Sequence, residues 1–412
     1  MNRPPLVIEE ESDSASPVRP NKRQATDNAS EQHTTTSTKT TSASSHNNNN
    51  NNNNNNSHPV VQESPSPSTA TSTTTSSTTT SATNDQRTSV DYYFDSYAHH
   101  AIHEEMLKDV VRTQTYQTAI LQNAHLFQDK VVLDVGCGTA ILSLFCAQAG
   151  AKHVYAVDCS SIVQQAQQIV ERNGFANQIT LIHGKIEEIE LPVEHVDIIV
   201  SEWMGYFLLY ESMLDSVLFA RDKWLVPENG IIFPDKAVMY VSAMEDDTVR
   251  RERIDFWDDV YGFDMSPIKE IALREPVVDI VDPKAIVTDA VPILHLDILT
   301  CTKDDLAFTA DFKLQARRND FVHGLVAYFE CAFTQIHKPI GFSTAPFCRY
   351  THWKQTMFYV PDTITICAGE VLQGRLTCKP NPHNKRDLDI AIAYQFHGKH
   401  STVDTNVQYR LR

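Results

Sequence analysis

What this sequence lacks narrows it first. No apolar run is long enough to cross a bilayer, and the chain does not open with the charged-then-apolar pattern of a secretory leader. Neither membrane insertion nor export is therefore expected. The eight cysteines include no CxxC pair and no metal-ligand spacing. They read as reduced thiols of an intracellular protein, several of them in core strands, and no metal site is expected. Basic residues are also in short supply. With 35 Lys/Arg against 52 Asp/Glu the net charge is −17. That balance argues against nucleic acid as the main ligand and fits basic partners. Residues 1–90 hold almost no aromatics and are rich in Ser, Thr and Asn, with an unbroken Asn47–Asn56 run. Such a segment cannot bury enough apolar surface to offset its ordering entropy, so it is read as a disordered tail.

Lys and Arg are missing again between Ser201 and Ala220, across the stretch of greatest chemical interest. Ser201–Leu214, SEWMGYFLLYESML, places two carboxylates, Glu202 and Glu211, in an otherwise apolar and aromatic run. On one ideal helix acids at that spacing would face opposite ways, about two and a half turns apart, so convergence requires a bent loop. A carboxylate among Met, Tyr, Phe and Leu is costly to bury unless a cation or donors meet it. With no cation inside the stretch, the substrate is expected to supply one. Taken by itself, the stretch would be read as two half-exposed loop acids.

Its surroundings supply a frame. Val131–Ala140, VVLDVGCGTA, followed by an apolar helix start, reads as strand, glycine turn and helix, the opening of a doubly wound α/β sheet. Gly136 and Gly138 let the backbone close up against a ligand, while Ile141 stands where dinucleotide binding would need a third glycine. A second strand, His153–Val157, ends in Asp158, placed to hold ribose hydroxyls. A third, Gln178–His183, leads to Gly184–Glu188, and a fourth, Val196–Val200, delivers Glu202 at its C-terminal end. Helix Ser212–Trp224 and a fifth strand before Pro234 follow.

Ahead of this unit, Tyr93 and Tyr97 stand at i,i+4, and His103, Met106 and Val110 at i, i+3, i+7. They predict two short amphipathic helices, serving as core packing or as a lid. Beyond Pro234, Asp246–Ile271 has a helical look. Short β-rich runs then follow at 285–288, 293–299, 306–314, 324–333, 357–359, 371–378, 389–396 and 407–411, indicating a sandwich or barrel.

Four separated motifs, YYFDSY with IHEEML, VLDVGCGTA, SEWMGYFLLYESML and THWKQ (Thr351–Gln355), together resemble those of the type I protein arginine N-methyltransferases, from about Tyr92 to Arg412. The resemblance implies an α/β class I S-adenosylmethionine-dependent methyltransferase (Rossmann-like) domain followed by a β-barrel, with an inserted helical dimerisation arm. Lid helices and the cofactor domain would occupy 91–234 and the barrel 235–412, with the arm near 246–273. The implied cofactor is S-adenosyl-L-methionine. Its implied binding set is His103, Arg112 on the carboxylate, Asp134, Gly136 and Gly138 around the methionine portion, Asp158 on the ribose and Glu187 on the adenine amino group. Glu202 and Glu211 match the paired glutamates that clamp the substrate guanidinium, and Tyr97 and Tyr206 shape that pocket. Met106 and Met213 fall at positions tied to how many methyls are added and where. His352, linked to Asp109, faces the active site. Two positions depart from the family pattern: Asp158 stands where close relatives have Glu, and Ala140 where they have the last glycine of GxGTG.

Those residue types suit the implied chemistry. Guanidinium carries a delocalised charge over three nitrogens, all poor nucleophiles. Two carboxylates can grip it in bidentate fashion and draw positive charge onto the nitrogens they touch, leaving lone-pair density on the third. In-line displacement at a methyl then depends on positioning and electrostatics. The expected products are mono- and asymmetric dimethylarginine on Arg/Gly-rich proteins and histone tails, in cytoplasm and nucleus, by a homodimer or larger homo-oligomer. No direct nucleic-acid or membrane partner is expected. The alternative is a catalytically weak cofactor-binding scaffold or partner of an active enzyme; a small-molecule methyltransferase would need neither the paired glutamates nor the barrel.

Overall fold

Five short runs of β-branched and aliphatic residues become a parallel sheet: β1 Val131–Val135, β2 His153–Asp158, β3 Ile179–His183, β4 Ile198–Val200 and β5 Ile231–Phe233. The computed structural model describes residues 97–412; the tail at 1–90 and the expected helix around Tyr93 lie outside the described residues. Strand order is β3-β2-β1-β4-β5, every neighbouring pair parallel. The apolar runs of β1 and β4 are buried on both faces, as a sheet covered by crossover helices demands. Helices α1 (His100–Lys108), α2 (Val110–Leu121), α3 (Ala124–Phe127), α4 (Ile141–Gln148), α5 (Val163–Arg172) and α6 (Leu214–Trp224) accompany it. Chain direction across the sheet reverses between β1 and β4. That switch opens a crevice at the carboxyl ends of these two strands, where Gly136 and Glu202 emerge.

The helical pattern through His103, Met106 and Val110 is interrupted by the structure. Asp109 leaves the helix (ψ 95°) and caps α2 instead, its Oδ1 accepting from Arg112 N at 3.0 Å. A side-chain oxygen that satisfies an orphan N–H of the next helix stabilises such a break.

The second half is antiparallel. One sheet runs β7 (Val277–Asp279), β12 (Gln355–Ile366), β10 (Asp320–Phe333), β6 (Lys236–Met244) and β8 (Val291–Asp297), with β11 (Ile340–Ser343) paired to β10. The other runs β15 (Thr402–Leu411), β14 (Leu388–His397), β13 (Val371–Pro380) and β9 (Phe308–Gln315). Their edges meet at β8 with β9 and at β12 with β15, and inward side chains such as Phe312, Phe329, Ile364 and Ile392 fill the barrel. The helical stretch becomes α7 (Asp247–Arg253) and α8 (Ser266–Leu273), joined by a 3-10 turn. Among the described residues no helix is long and apolar enough to cross a membrane, and no cluster of three His, Cys, Asp or Glu could hold a metal.

Two strand expectations need correction, and one strand was not expected. Ala285–Thr288 is not a strand: a 3-10 turn spans Pro283–Ala285, where the Asp282 side chain accepts from Lys284 N, and only isolated bridges form at Ile286 and Thr288. The run at 357–359 extends over Gln355–Ile366, because a register shift against Val322 and Gly324 accommodates Pro361 within the strand. Lys236–Met244, with Val238, Tyr240 and Val241, is the unexpected strand; it is held between β10 and β8 and largely buried.

Candidate active site

A cavity of about 260 Å³ lies at the switch point. The far-separated motifs meet in it. Tyr97, His103, Met106 and Arg112 come from the N-terminal helices; Gly136 and Gly138 from the turn after β1; Asp158 and Glu187 from after β2 and β3. Glu202, Glu211 and Met213 come from the loop after β4, and His352 from the barrel. Of the expected site residues, only Asp109, Asp134 and Tyr206 do not line it. Asp109 and Asp134 stand directly behind lining residues. Tyr206 stacks on Tyr210, centroids 6.3 Å apart.

The bent loop joining the two acids is real and is made by left-handed residues. Phe207, Leu208, Glu211 and Ser212 all have positive φ, between 51° and 76°. Glu202 does not await its first cation from outside, as the absence of basic residues in the stretch led us to expect. Arg112, from α2, donates from Nε to Glu202 Oε2 at 2.9 Å, with both side chains more than nine-tenths buried. Its Nη1 donates to Met106 O. The resemblance assigned Arg112 to the cofactor carboxylate; it lines the cavity, but it is also the glutamate's counter-ion. Glu202 Oε1 is buried with no partner among the described residues, an arrangement suited to receiving a further donor. Glu211 Oε2 accepts from Tyr97 Oη at 2.8 Å.

Asp109 and Arg112, three apart, would ordinarily be a surface pair; instead both are buried. Asp109 Oδ2 accepts from His352 N at 2.8 Å and His352 Nδ1–H at 2.7 Å. Burial pushes this carboxyl up, but the bonds from His352 and from Arg112 N outweigh it and hold it below the usual carboxylate range. With its proton fixed on Nδ1, the imidazole keeps Nε2 as an acceptor. Neighbouring Trp353 donates from Nε1 to Met204 O at 2.8 Å, docking the barrel on the glutamate loop.

On the other side, Gly136 lies under Met213: a Cβ there would come within 2.1 Å of Met213 Cε, and φ is +73°. Only glycine fits. His103 Nε2–H donates to Tyr97 O at 2.8 Å and holds its ring over Gly138. Asp134 is fully buried, Ser143 Oγ donates to its Oδ2 at 2.6 Å, and its Oδ1 has no partner among the described residues. Burial pushes Asp134 up to about 7 despite the Ser143 bond. Asp158 receives Gly138 N on one oxygen and Ser160 N and Oγ on the other, at 2.7–2.8 Å. A carboxylate offers about four acceptor sites, so capacity for a diol remains. Ala140, the other departure, adopts φ +65° and is fully buried. An L-residue there costs roughly 1 kcal/mol more than the glycine it replaces.

Some of the site was absent from the sequence reading. Arg386 lines the cavity from the β13–β14 hairpin, and Ser216 Oγ donates to Glu187 Oε1 at 2.6 Å. Tyr116 Oη donates to Ser201 O at 2.9 Å beneath the glutamate loop. None sits in a motif; a Pro/Asn-rich turn and two helix residues carry no local signal of what they reach.

Known proteins match this geometry. Residues 132–227 match the pattern of a methyltransferase domain, and 235–399 that of an arginine methyltransferase oligomerization subdomain. Protein arginine N-methyltransferase 1 of Schizosaccharomyces pombe is 59% identical over 327 residues, covering 79% of this chain and 96% of that protein. The protein of the same name from Chlamydomonas reinhardtii is 58% identical over 326 residues, covering 79% and 94%. Among solved structures, the Trypanosoma brucei PRMT1 enzyme–prozyme heterotetrameric complex with AdoHcy gives a TM-score of 0.75 at 48% identity, over 77% of this chain and 100% of that one. Arabidopsis thaliana protein arginine methyltransferase 10 gives 0.71 at 30% identity, over 78% and 100%.

Proposed function

The chain belongs to the protein arginine N-methyltransferases, and from that premise we propose how its residues divide the work and what they act on. It is a type I enzyme that methylates protein arginine with S-adenosylmethionine, giving mono- and asymmetric dimethylarginine. The scaffold alternative is disfavoured, because relatives at 58–59% identity carry the enzyme's name.

The observation that carries the mechanism is the shared cavity of Glu202 and Glu211, one with a buried unpartnered oxygen and the other held by Tyr97. The two carboxylates grip the substrate guanidinium and concentrate its charge on the nitrogens they touch, leaving the third nitrogen to attack. Lysine lacks that planar fork, so the site selects arginine. His352 Nε2 takes the proton lost on transfer, and the Asp109 carboxylate bonded to Nδ1 stabilises the imidazolium, as in other His–Asp pairs. The cofactor supplies the methyl group on a sulfonium. Asp134, Gly136, Gly138 and His103 would hold its amino-acid portion, and Arg112 its carboxylate. Asp158 would hold the ribose, and Glu187, oriented by Ser216, the adenine. The unpartnered Asp134 Oδ1 and the glycine turn support this placement. Met106 and Met213, which line the cavity, shape the space left to the guanidinium and so the product.

The oligomerization subdomain makes the chain an oligomer. We assign it a homodimer built through the arm near 246–273, supported by the exposure there of Phe263 (69%) and Ile271 (54%). Arg/Gly-rich proteins and histone tails are its substrates, in cytoplasm and nucleus, and the net charge of −17 favours such basic partners. The test incubates the pure chain with labelled S-adenosylmethionine and an Arg/Gly-rich peptide and identifies the product by mass fragmentation. Asymmetric dimethylarginine is expected; symmetric product, or cofactor binding without transfer, overturns the reading.

A further inference from the structure

The loop carrying the two glutamates is costly to hold. Four non-glycine residues between Phe207 and Ser212 are left-handed, each costing roughly 1–2 kcal/mol relative to ordinary backbone. Such strain persists only where the surroundings over-determine it. Inside the loop, Gly205 N donates to Leu208 O at 3.0 Å and Tyr210 N to Tyr206 O at 3.1 Å. Those bonds fix the first pair of left-handed residues. The second pair, Glu211 and Ser212, has one longer local bond, Ser212 N to Leu209 O at 3.3 Å, and is otherwise held from another part of the molecule.

That support is the hairpin between β13 and β14. Glu211 N donates to Arg386 O at 3.0 Å, Arg386 Nη1 donates to Glu211 O at 2.6 Å, and Ser212 Oγ donates to Lys385 O. Arg386 thus occupies both the backbone donor and the backbone acceptor of Glu211. The hairpin is itself rigid. Asn381, 2% exposed, accepts from His383 N and Asn384 N through Oδ1 and donates from Nδ2 to both Asp389 oxygens. Asn381 N and Asp387 O close the turn at 2.9 Å.

We propose that Arg386 is the positioning residue for Glu211, fixing from the barrel the left-handed turn that aims this carboxylate into the cavity. It does so through the Glu211 backbone, while Tyr97 holds the carboxylate itself. The barrel then contributes to catalysis twice, through His352 and through Arg386. The inference rests on the clamp role of Glu211. A glutamate anchored at its side chain alone could swing with its backbone, and a misplacement of about 1 Å can cost on the order of 100-fold in rate.

The test measures kcat and KM for an arginine peptide, and cofactor Kd by calorimetry, on the full chain and on Arg386→Met and Arg386→Lys. Arg386→Met removes the Nη1 bond to Glu211 O but keeps the main-chain bond from Glu211 N to Arg386 O. It is expected to lower kcat/KM for the peptide by about 10- to 100-fold. Since Arg386 also lines the cavity, cofactor Kd is expected to change as well, but by much less than that. Lysine keeps one donor and loses the fork, so Arg386→Lys is expected to fall between the two. Should Arg386→Met not fold, Arg386→Lys carries the test with an expected loss of about tenfold. Peptide kcat/KM within about threefold of wild type in the variants overturns the inference, and so does a parallel loss of cofactor affinity. A wild-type chain that fails to methylate arginine strikes the functional reading instead, so the two failures are distinguishable.

Discussion

Arg112 and Glu202 form a buried ion pair, Nε to Oε2 at 2.9 Å, with side chains only 7% and 8% exposed. The pair joins the lid to the loop after β4 across ninety positions of sequence. It explains how a carboxylate survives among aromatic and aliphatic neighbours before any substrate arrives. It also leaves Oε1 as the one oxygen of Glu202 without a partner among the described residues.

Removing the charge of Glu202 separates its two roles. Glu202→Gln retains shape and an acceptor for Arg112, so the fold should survive. Turnover should fall by about 10²–10³, as for other groups that stabilise transition-state charge. Arg112→Met should instead destabilise the chain by about 3–5 kcal/mol, because it strands a buried carboxylate. Steady-state kinetics and thermal melts on both variants check this; near-normal turnover of Glu202→Gln would remove it from the clamp.

If the proposed contact of Asp134 with the cofactor's amino-acid portion holds, cofactor affinity should depend on pH. Its carboxyl is raised from the ordinary 3.8 to about 7 by burial. Stability from the protonated form is therefore complete below the unfolded value and fades as pH climbs through about 7. An ammonium group pairs with the ionised form, so the proton must leave on binding. Cofactor affinity should rise with pH towards about 7 and fall again once the cofactor's own α-ammonium, of ordinary pKa about 7.7–8.0, deprotonates. Calorimetry on the rising limb should show the slope in the wild type and none in Asp134→Asn.

Asp109→Asn should damage both fold and turnover. Asp109 Oδ2 accepts two donors, His352 N and Nδ1. An amide can serve Arg112 N with its oxygen, but its NH₂ then faces those donors and leaves both unsatisfied. A loss of roughly 2–4 kcal/mol is expected in denaturant unfolding. Turnover should drop together with it, since His352 loses its orientation; full activity in Asp109→Asn would contradict the proton-acceptor role.

Acid should loosen the base of the arm. His323, 4% exposed, accepts from Asp246 N through Nδ1 at 3.0 Å, and Asp246 caps α7 and takes the Tyr359 hydroxyl. Burial lowers this imidazole, against the opposing pull of Glu245, Asp247 and Asp246, with Arg250 adding to the lowering. A depressed pKa means the stabilisation is present above the unfolded value near 6.5 and is lost as pH falls. Hydrogen exchange of α7 should therefore accelerate below that value, after correction for intrinsic rates. Unchanged protection of α7 would show that His323 is not the acceptor that holds the cap.

The sheet was legible because its signals are local. VVLDVGCGTA needs no distant partner to read as strand and turn, since apolar runs and left-handed glycines have few other uses. Glu202 and Glu211 announced themselves as carboxylates too costly to bury alone. The lid was misread for the opposite reason. His103 to Val110 has an unbroken helical period, and Asp109 breaks the helix only because His352, on the barrel, receives its side chain. Pro361 likewise took its conformation from a neighbouring strand rather than from its own residue type.

By itself the sequence determined the kinds of chemistry and the order of the parts. A parallel sheet with a glycine turn, two acids after its fourth strand and a β-rich second half are set by hydrophobic period, backbone permissiveness and charge, all properties of contiguous residues. Tertiary structure alone decided which charge meets which. Arg112 faces Glu202, His352 faces Asp109, and Arg386 grips the backbone of Glu211. Each of these pairings spans 90 or more positions. At that separation no propensity or spacing constrains a pair, and only the packing of lid, sheet and barrel brings its members within hydrogen-bond reach.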